Sequence, residues 1–171
     1  MLYVNDHLVT EERELEAVAQ QLQGYLFKEK LILVNSNQEP FLQEELADLL
    51  MSKKEELKLT AIHSSIMLRE FKLELEDYIQ KVEAYVEDMR ESADFSGVLN
   101  GFIQVMESLL EFSAVEKFLQ KDLIDQQQLN ELSTKVLARA EEGNFEYVLD
   151  VLEYEVLAIL HHFLAETNEV M

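Results

Sequence analysis

Apolar residues at Leu68, Phe71, Leu75, Tyr78, Val82, Tyr85 and Met89 step by three and four without a break. Three heptads of this kind predict one long amphipathic helix over about residues 65–92, roughly 40 Å in length, packing with coiled-coil-like geometry. A second helix is predicted over about 97–120, with Asp94 or Ser96 as its cap. It carries two adjacent apolar rows, Val98, Phe102, Val105, Leu109 and Phe112 beside Leu99, Ile103, Met106 and Leu110, and so wide a stripe places it centrally. Asp125 with Gln128 has the spacing of a capping box, and Ile124 with Leu129 that of a hydrophobic staple, ahead of Leu132, Val136 and Ala140. Gly143 closes that helix and Asn144 caps the last one, which buries Phe145, Leu149, Leu152, Val156, Ile159 and Phe163. Tyr154 then faces away from the core. Short connections make neighbours antiparallel, so residues 64–171 read as a four-helix up-down bundle.

The first 63 residues have a different rhythm. Met1 to Val4 is short and apolar, with turn residues Asn5 and Asp6 after it. Thr10 is the expected N-cap of a helix with Leu15, Val18, Leu22 and Tyr25 or Leu26 at helical spacing. Leu31 to Val34 reads as a buried strand stopped by Asn35-Ser36-Asn37. Pro40 opens a short helix with Leu42, Leu46, Leu49 and Leu50 on one side, and Leu57, Leu59 and Ala61 alternate as a strand. The expected fold is therefore mainly α: a small β-α-β-α-β subdomain over 1–63 and an acidic helical bundle over 64–171.

Composition narrows the function classes. A hydrophobic fraction of 48% excludes a disordered chain, and 4 glycines with 1 proline favour long helices and short turns. The absence of cysteine removes disulfides, thiolate zinc sites and thiol catalysis. No basic region precedes an apolar run at the N-terminus, and no uninterrupted apolar run reaches membrane-spanning length, so the expected location is the cytoplasm. The net charge is −21, from 35 acidic and 14 basic residues; residues 64–171 hold 23 of the acids and 8 of the bases. Eight carboxylates follow Arg139 with no base after it. Such a chain repels nucleic acid and anionic lipid and attracts basic partners.

No catalytic constellation stands out. A di-iron bundle requires Glu-x-x-His pairs, and none of the 4 histidines has a glutamate three residues before it. His161 and His162 are neighbours that point about 100° apart, and His162 with Glu166 is at most half a metal site. His63 beside Ser64 and Ser65 reads as a local cap. Glu44, Glu45 and Asp48, followed by Glu74 and Asp77, resemble the magnesium-binding pattern of the all-helical nucleotide pyrophosphohydrolases. That resemblance implies carboxylates one turn apart on facing helices. Asp48 stands where that family has a glutamate, and a strand is expected between the two segments. Gly97-x-x-x-Gly101 has helix-contact spacing but reads as an N-terminal helix loop. The aromatics sit at core spacing with no basic clusters among them, which removes a stacking-plus-phosphate surface.

Asp150-Val151-Leu152-Glu153-Tyr154-Glu155, and Glu76-Asp77-Tyr78-Ile79 with an apolar helix after it, resemble motifs of an uncharacterised family of small acidic bacterial proteins. The resemblance spans the C-terminal two-thirds. It implies one helical unit with a small N-terminal part, and it brings no catalytic residues. The functional expectation is a non-enzymatic interaction or adaptor module, with no cofactor and no resident metal, acting on a basic protein through an acidic helical surface. The 68–89 stripe is its expected self- or partner-association surface unless it is intramolecular core. The alternatives are an acidic mimic of nucleic acid and the magnesium-dependent hydrolase.

Overall fold

Asn5 and Asp6 both have positive φ (48° and 66°), the backbone of a two-residue type I′ hairpin. They join strand β1 (Leu2–Val4) to β2 (His7–Thr10) in a computed structural model that describes residues 1–52, 54–119 and 121–170. Helix α1 (Leu15–Glu29), strand β3 (Leu31–Val34), helix α2 (Gln43–Met51) and strand β4 (Leu57–His63) follow. The sheet is mixed and four-stranded, in the order β2-β1-β4-β3, with β1 parallel to β4 and the other two pairs antiparallel. The expected three-stranded β-α-β-α-β pattern is corrected by β2. It is four residues long, with His7 and Leu8 exposed, Val9 half-buried and Thr10 buried, so it carries no strong apolar alternation.

Three smaller corrections belong here. Thr10 ends β2 and holds the Glu12 N–H through Oγ1 (3.0 Å), whereas α1 starts at Leu15 after Glu14. Pro40 bridges Val34 instead of opening α2, which begins at Gln43, and Leu42 is exposed. Asn5 extends the sheet by side chain: Nδ2 donates to the Ala61 carbonyl (2.8 Å), and Oδ1 accepts from the Ala61 N–H (2.9 Å). The core of this unit is Leu2, Val4, Leu22, Leu33, Leu59 and Ala61, with half-buried residues of α1 and α2 packed on it.

The chain divides into two compact units, Met1–Met67 and Leu68–Met171. The second is helical: most of α3 (Ser64–Ser92), α4 (Val98–Phe112), α5 (Glu116–Leu119), α6 (Gln126–Glu141), α7 (Phe145–Val151) and α8 (Leu157–Val170). A 3-10 turn at Ser113–Val115 ends α4, so the helix expected over 97–120 is interrupted. Gly97, not Asp94 or Ser96, is the residue before α4; Asp94 instead holds the Ser96 N–H (3.1 Å). Asp125 caps α6 by accepting from the Gln127 and Gln128 N–H groups. Gly143, at φ +77°, and Asn144, which accepts from the Tyr147 N–H, make the tight turn into α7.

The buried row of α3 is Leu68, Phe71, Leu75, Ile79, Val82 and Val86. It keeps the α-helical repeat of about 3.6 residues instead of the heptad's 3.5. Tyr78, Tyr85 and Met89 therefore drift to the edge of the contact, where they are half-buried. Phe71 stacks edge-on against Phe112 (5.6 Å) and Phe163 (5.7 Å), which seats α3 against α4 and α8.

Candidate acidic interaction surface

Asn144 starts α7 so that Glu146 and Asp150 fall one turn apart on one face. Neither α7 nor the segment after it contains a base; the counter-charge comes from the last turn of α3. Arg90 Nη1 lies 3.9 Å from Glu146, Nη2 binds Asp150, and Nη2 and Nε reach Glu153 Oε2 at 2.7 and 3.0 Å. One guanidinium thus holds three carboxylates, two of them by charge-assisted hydrogen bonds. The bonds to Asp150 and then Glu153 push the Arg90 pKa further above its ordinary value, so it stays charged throughout.

Glu153 reaches Arg90 from a π-helical turn, Leu152–Val156, set between α7 and α8. Hydrogen bonds from i to i+5 bring Val151 into line with Val156, and Leu152 into line with Leu157, and all four are buried. Tyr154 is left on the outside, 68% exposed, between Glu153 and the exposed Glu155. Its outward direction matches the helical spacing of its neighbours. The π turn itself has no sequence signature. Further along the same seam, His161 Nε2 pairs with Glu83 of α3 at 2.8 Å.

Residues 82–92 and 145–160 together carry Glu83, Glu87, Asp88, Glu91, Glu146, Asp150, Glu153 and Glu155, with Arg90 as their one Lys or Arg. Glu87, Asp88 and Glu91 are exposed, and none of the ion pairs among the described residues includes them.

The carboxylates singled out for magnesium fall in two different units. Glu44, Glu45 and Asp48 lie exposed on α2 in the first unit, and Glu45 is occupied by the Leu42 N–H (3.1 Å). Glu74 and Asp77 lie exposed on α3 in the second unit, and Asp77 is tied to Lys81 (2.6 Å). Among the described residues, no group of three or more His, Asp or Glu is placed to hold a metal ion. Glu166 binds Lys121 of the turn before α6. His63 accepts from the Ser65 N–H (3.2 Å) and so caps the start of α3.

Two readings of α4 change. Gly101 is inside the helix, and a Cβ there would lie 2.5 Å from the Tyr85 hydroxyl, which donates to the Gly97 carbonyl (3.2 Å). Gly101 is therefore a close helix contact that admits a tyrosine, while Gly97 stays in the turn before α4, as an N-terminal helix loop would place it. The second apolar row is not central either: Met106 is buried, Leu99 half-buried, and Ile103 and Leu110 exposed. The 68–89 stripe, in contrast, has Leu68, Phe71, Leu75 and Val82 inside the chain's own core.

Comparison with known proteins returned no match to a family model, to a curated protein or to a solved structure.

Proposed function

We propose that the chain is a non-enzymatic protein-interaction module that receives a basic partner on the acidic seam between α3 and the α7–π–α8 helix. The observation that carries this reading is the charge count along the seam, eight carboxylates to one guanidinium, around an outward-facing Tyr154. Tyrosine is among the residues that anchor interfaces, and flanking carboxylates steer basic groups toward it. The nucleic-acid-mimic version is the same surface presented to a nucleic-acid-binding protein. The seam requires a rigid backing, and we further propose that α3, α4, α6 and α7–α8 form a four-helix up-down bundle. Opposed pairs support that arrangement: Tyr85 with Gly97 and Phe71 with Phe112 between α3 and α4, and Arg90 with Asp150 and Phe71 with Phe163 between α3 and α7–α8.

The test is calorimetric titration with an arginine-rich peptide over a range of salt concentrations, on the native chain and on Glu87→Gln/Glu91→Gln and Tyr154→Ala variants. Affinity is expected to fall steeply with salt and to drop several-fold in each variant. Binding that ignores all three substitutions would remove the seam as the site.

A further inference from the structure

Leu99, Ile103, Met106 and Leu110 recur at spacings of four, three and four along α4, one line on the helix. Ile103 is 40% and Leu110 47% exposed, although the row on one side of them, Val98, Phe102, Val105 and Leu109, is packed inside. The stretch Val98–Val115 is long and apolar enough, by length and composition, to cross a membrane, yet only 28% of it is buried within the chain. One border of the exposed line carries Glu107 and Glu111, both exposed and one turn apart. Helix α4 contains no Lys, Arg or His.

From this arrangement we propose that the outer row of α4 is a docking strip for an amphipathic helix of a partner protein, with apolar residues at i, i+3 or i+4 and i+7 and Lys or Arg on one flank. The apolar stripe of such a helix would lie along Leu99, Ile103 and Leu110, which line up at i, i+4 and i+11 on α4, and its basic flank would meet Glu107 and Glu111. Charge complementarity selects this occupant. A second copy of the chain would place glutamates against glutamates with no base from either α4, and its net charge of −21 repels its twin. An anionic membrane is repelled for the same reason. The strip is separate from the seam around Arg90 and does not depend on it.

The experiment titrates the full chain with a fluorescent amphipathic Leu/Lys peptide of about 18 residues in a helical pattern, and with a scrambled isomer of identical composition. The patterned peptide is expected to bind at least ten-fold more tightly than the isomer. An Ile103→Asp/Leu110→Asp variant is expected to lose at least ten-fold, and a Glu107→Gln/Glu111→Gln variant, which leaves the apolar row intact, to lose several-fold together with part of the salt dependence. Circular dichroism checks that each variant is folded. Equal binding of the two peptides overturns the proposal, as does indifference to both α4 variants. So does a dimer, seen by light scattering, that disappears in Leu110→Asp, or binding to phosphatidylcholine vesicles that needs Ile103 and Leu110. A loss confined to Glu87→Gln/Glu91→Gln would sink the strip and leave the seam standing, whereas a loss confined to the α4 variants would do the reverse.

Discussion

Substituting alanine at Gly101 sets two effects of known sign against each other. In an ordinary helix interior Gly→Ala stabilises by about 1 kcal/mol, through backbone entropy. Here the new Cβ would sit 2.5 Å from the Tyr85 hydroxyl oxygen, 2.7 Å from Cζ and 3.0 Å from Cε1. Comfortable contacts are about 3.5–4.0 Å, so the ring must retreat by roughly 1 Å. That retreat breaks the hydroxyl's bond to the Gly97 carbonyl, worth about 1 kcal/mol, and strains a packed interface for about another 1–2 kcal/mol, about 2–3 kcal/mol in all. The packing cost outweighs the propensity gain, and Gly101→Ala is expected to destabilise by about 1–2 kcal/mol, or roughly 2–8 °C in Tm for a chain of this size. Urea denaturation followed by circular dichroism measures it, and a double-mutant cycle with Tyr85→Leu isolates the cause. With the ring gone, the alanine should be neutral or stabilising, giving a coupling of about 1–3 kcal/mol. Equal or greater stability in the single variant, or the same loss in both backgrounds, would refute the close approach of α3 and α4.

The remaining predictions concern the sheet, the Arg90 node, pH and metal. Asn5→Ala leaves the Ala61 N–H and carbonyl without their partner and should cost about 1–3 kcal/mol in urea melts; an unchanged midpoint would remove the side-chain extension of the sheet. Arg90→Met leaves Glu146, Asp150 and Glu153 facing one another and should cost about 1–2 kcal/mol at low ionic strength and less at high, while Arg90→Lys keeps only part of the forked contact; a loss insensitive to salt would argue against charge repulsion as the cause. The Lys121 bond holds the Glu166 pKa below the ordinary 4.5. Its contribution is therefore present above about 4.5 and lost as pH falls through the lower folded value, and Lys121→Met should flatten that part of an acid titration. Burial pushes the Tyr78 and Tyr85 hydroxyls above 10.0, so their contribution is present below 10 and lost as pH rises through the higher folded values; Tyr78→Phe should soften the alkaline loss in a thermal melt series. Added Mg²⁺ should leave Tm unmoved, because Asp77 and Glu45 are already engaged; a rise that disappears in Glu74→Gln/Asp77→Asn would restore the hydrolase reading.

The sequence showed helices wherever an apolar row met a strong end signal. Asp125, Gly143 and Asn144 mark their boundaries because capping is local chemistry within four residues. The row on α3 was legible as helical but not in detail. A 3.5 and a 3.6 repeat share Leu68, Phe71, Leu75 and Val82, and only packing decides between Tyr78 and Ile79 or between Tyr85 and Val86. Strand β2 was hidden because it is four residues long and without apolar alternation, its one buried residue being Thr10, although Asn5-Asp6 is a turn signal that asks for a second strand. The Arg90 node joins residues 56 to 63 apart, a relation no local pattern encodes. One hint was present: Glu146, Asp150 and Glu153 share a helix face, and their own helix supplies no base.

That missing base bears on how the acidity works. Of the eight carboxylates after Arg139, Glu142 meets Arg139 itself, Glu146, Asp150 and Glu153 meet Arg90, and Glu166 meets Lys121. The chain thus neutralises its acidity where helices meet and leaves it free on outer faces, at Glu87, Asp88, Glu91 and Glu155. A partner's arginine approaching the node must compete with Arg90 for oxygens already bound, so exchange there adds little net energy. The free carboxylates act over a Debye length and govern how fast a basic partner arrives. How long it stays depends on apolar contact, and the exposed Tyr154, Ile103 and Leu110 are among the side chains of this unit able to supply it. Charge substitutions on α3 are therefore expected to change the association rate, and truncations at these three positions the dissociation rate. Stopped-flow kinetics with a captured partner would separate the two, and equal effects on dissociation from both classes would contradict this division of labour.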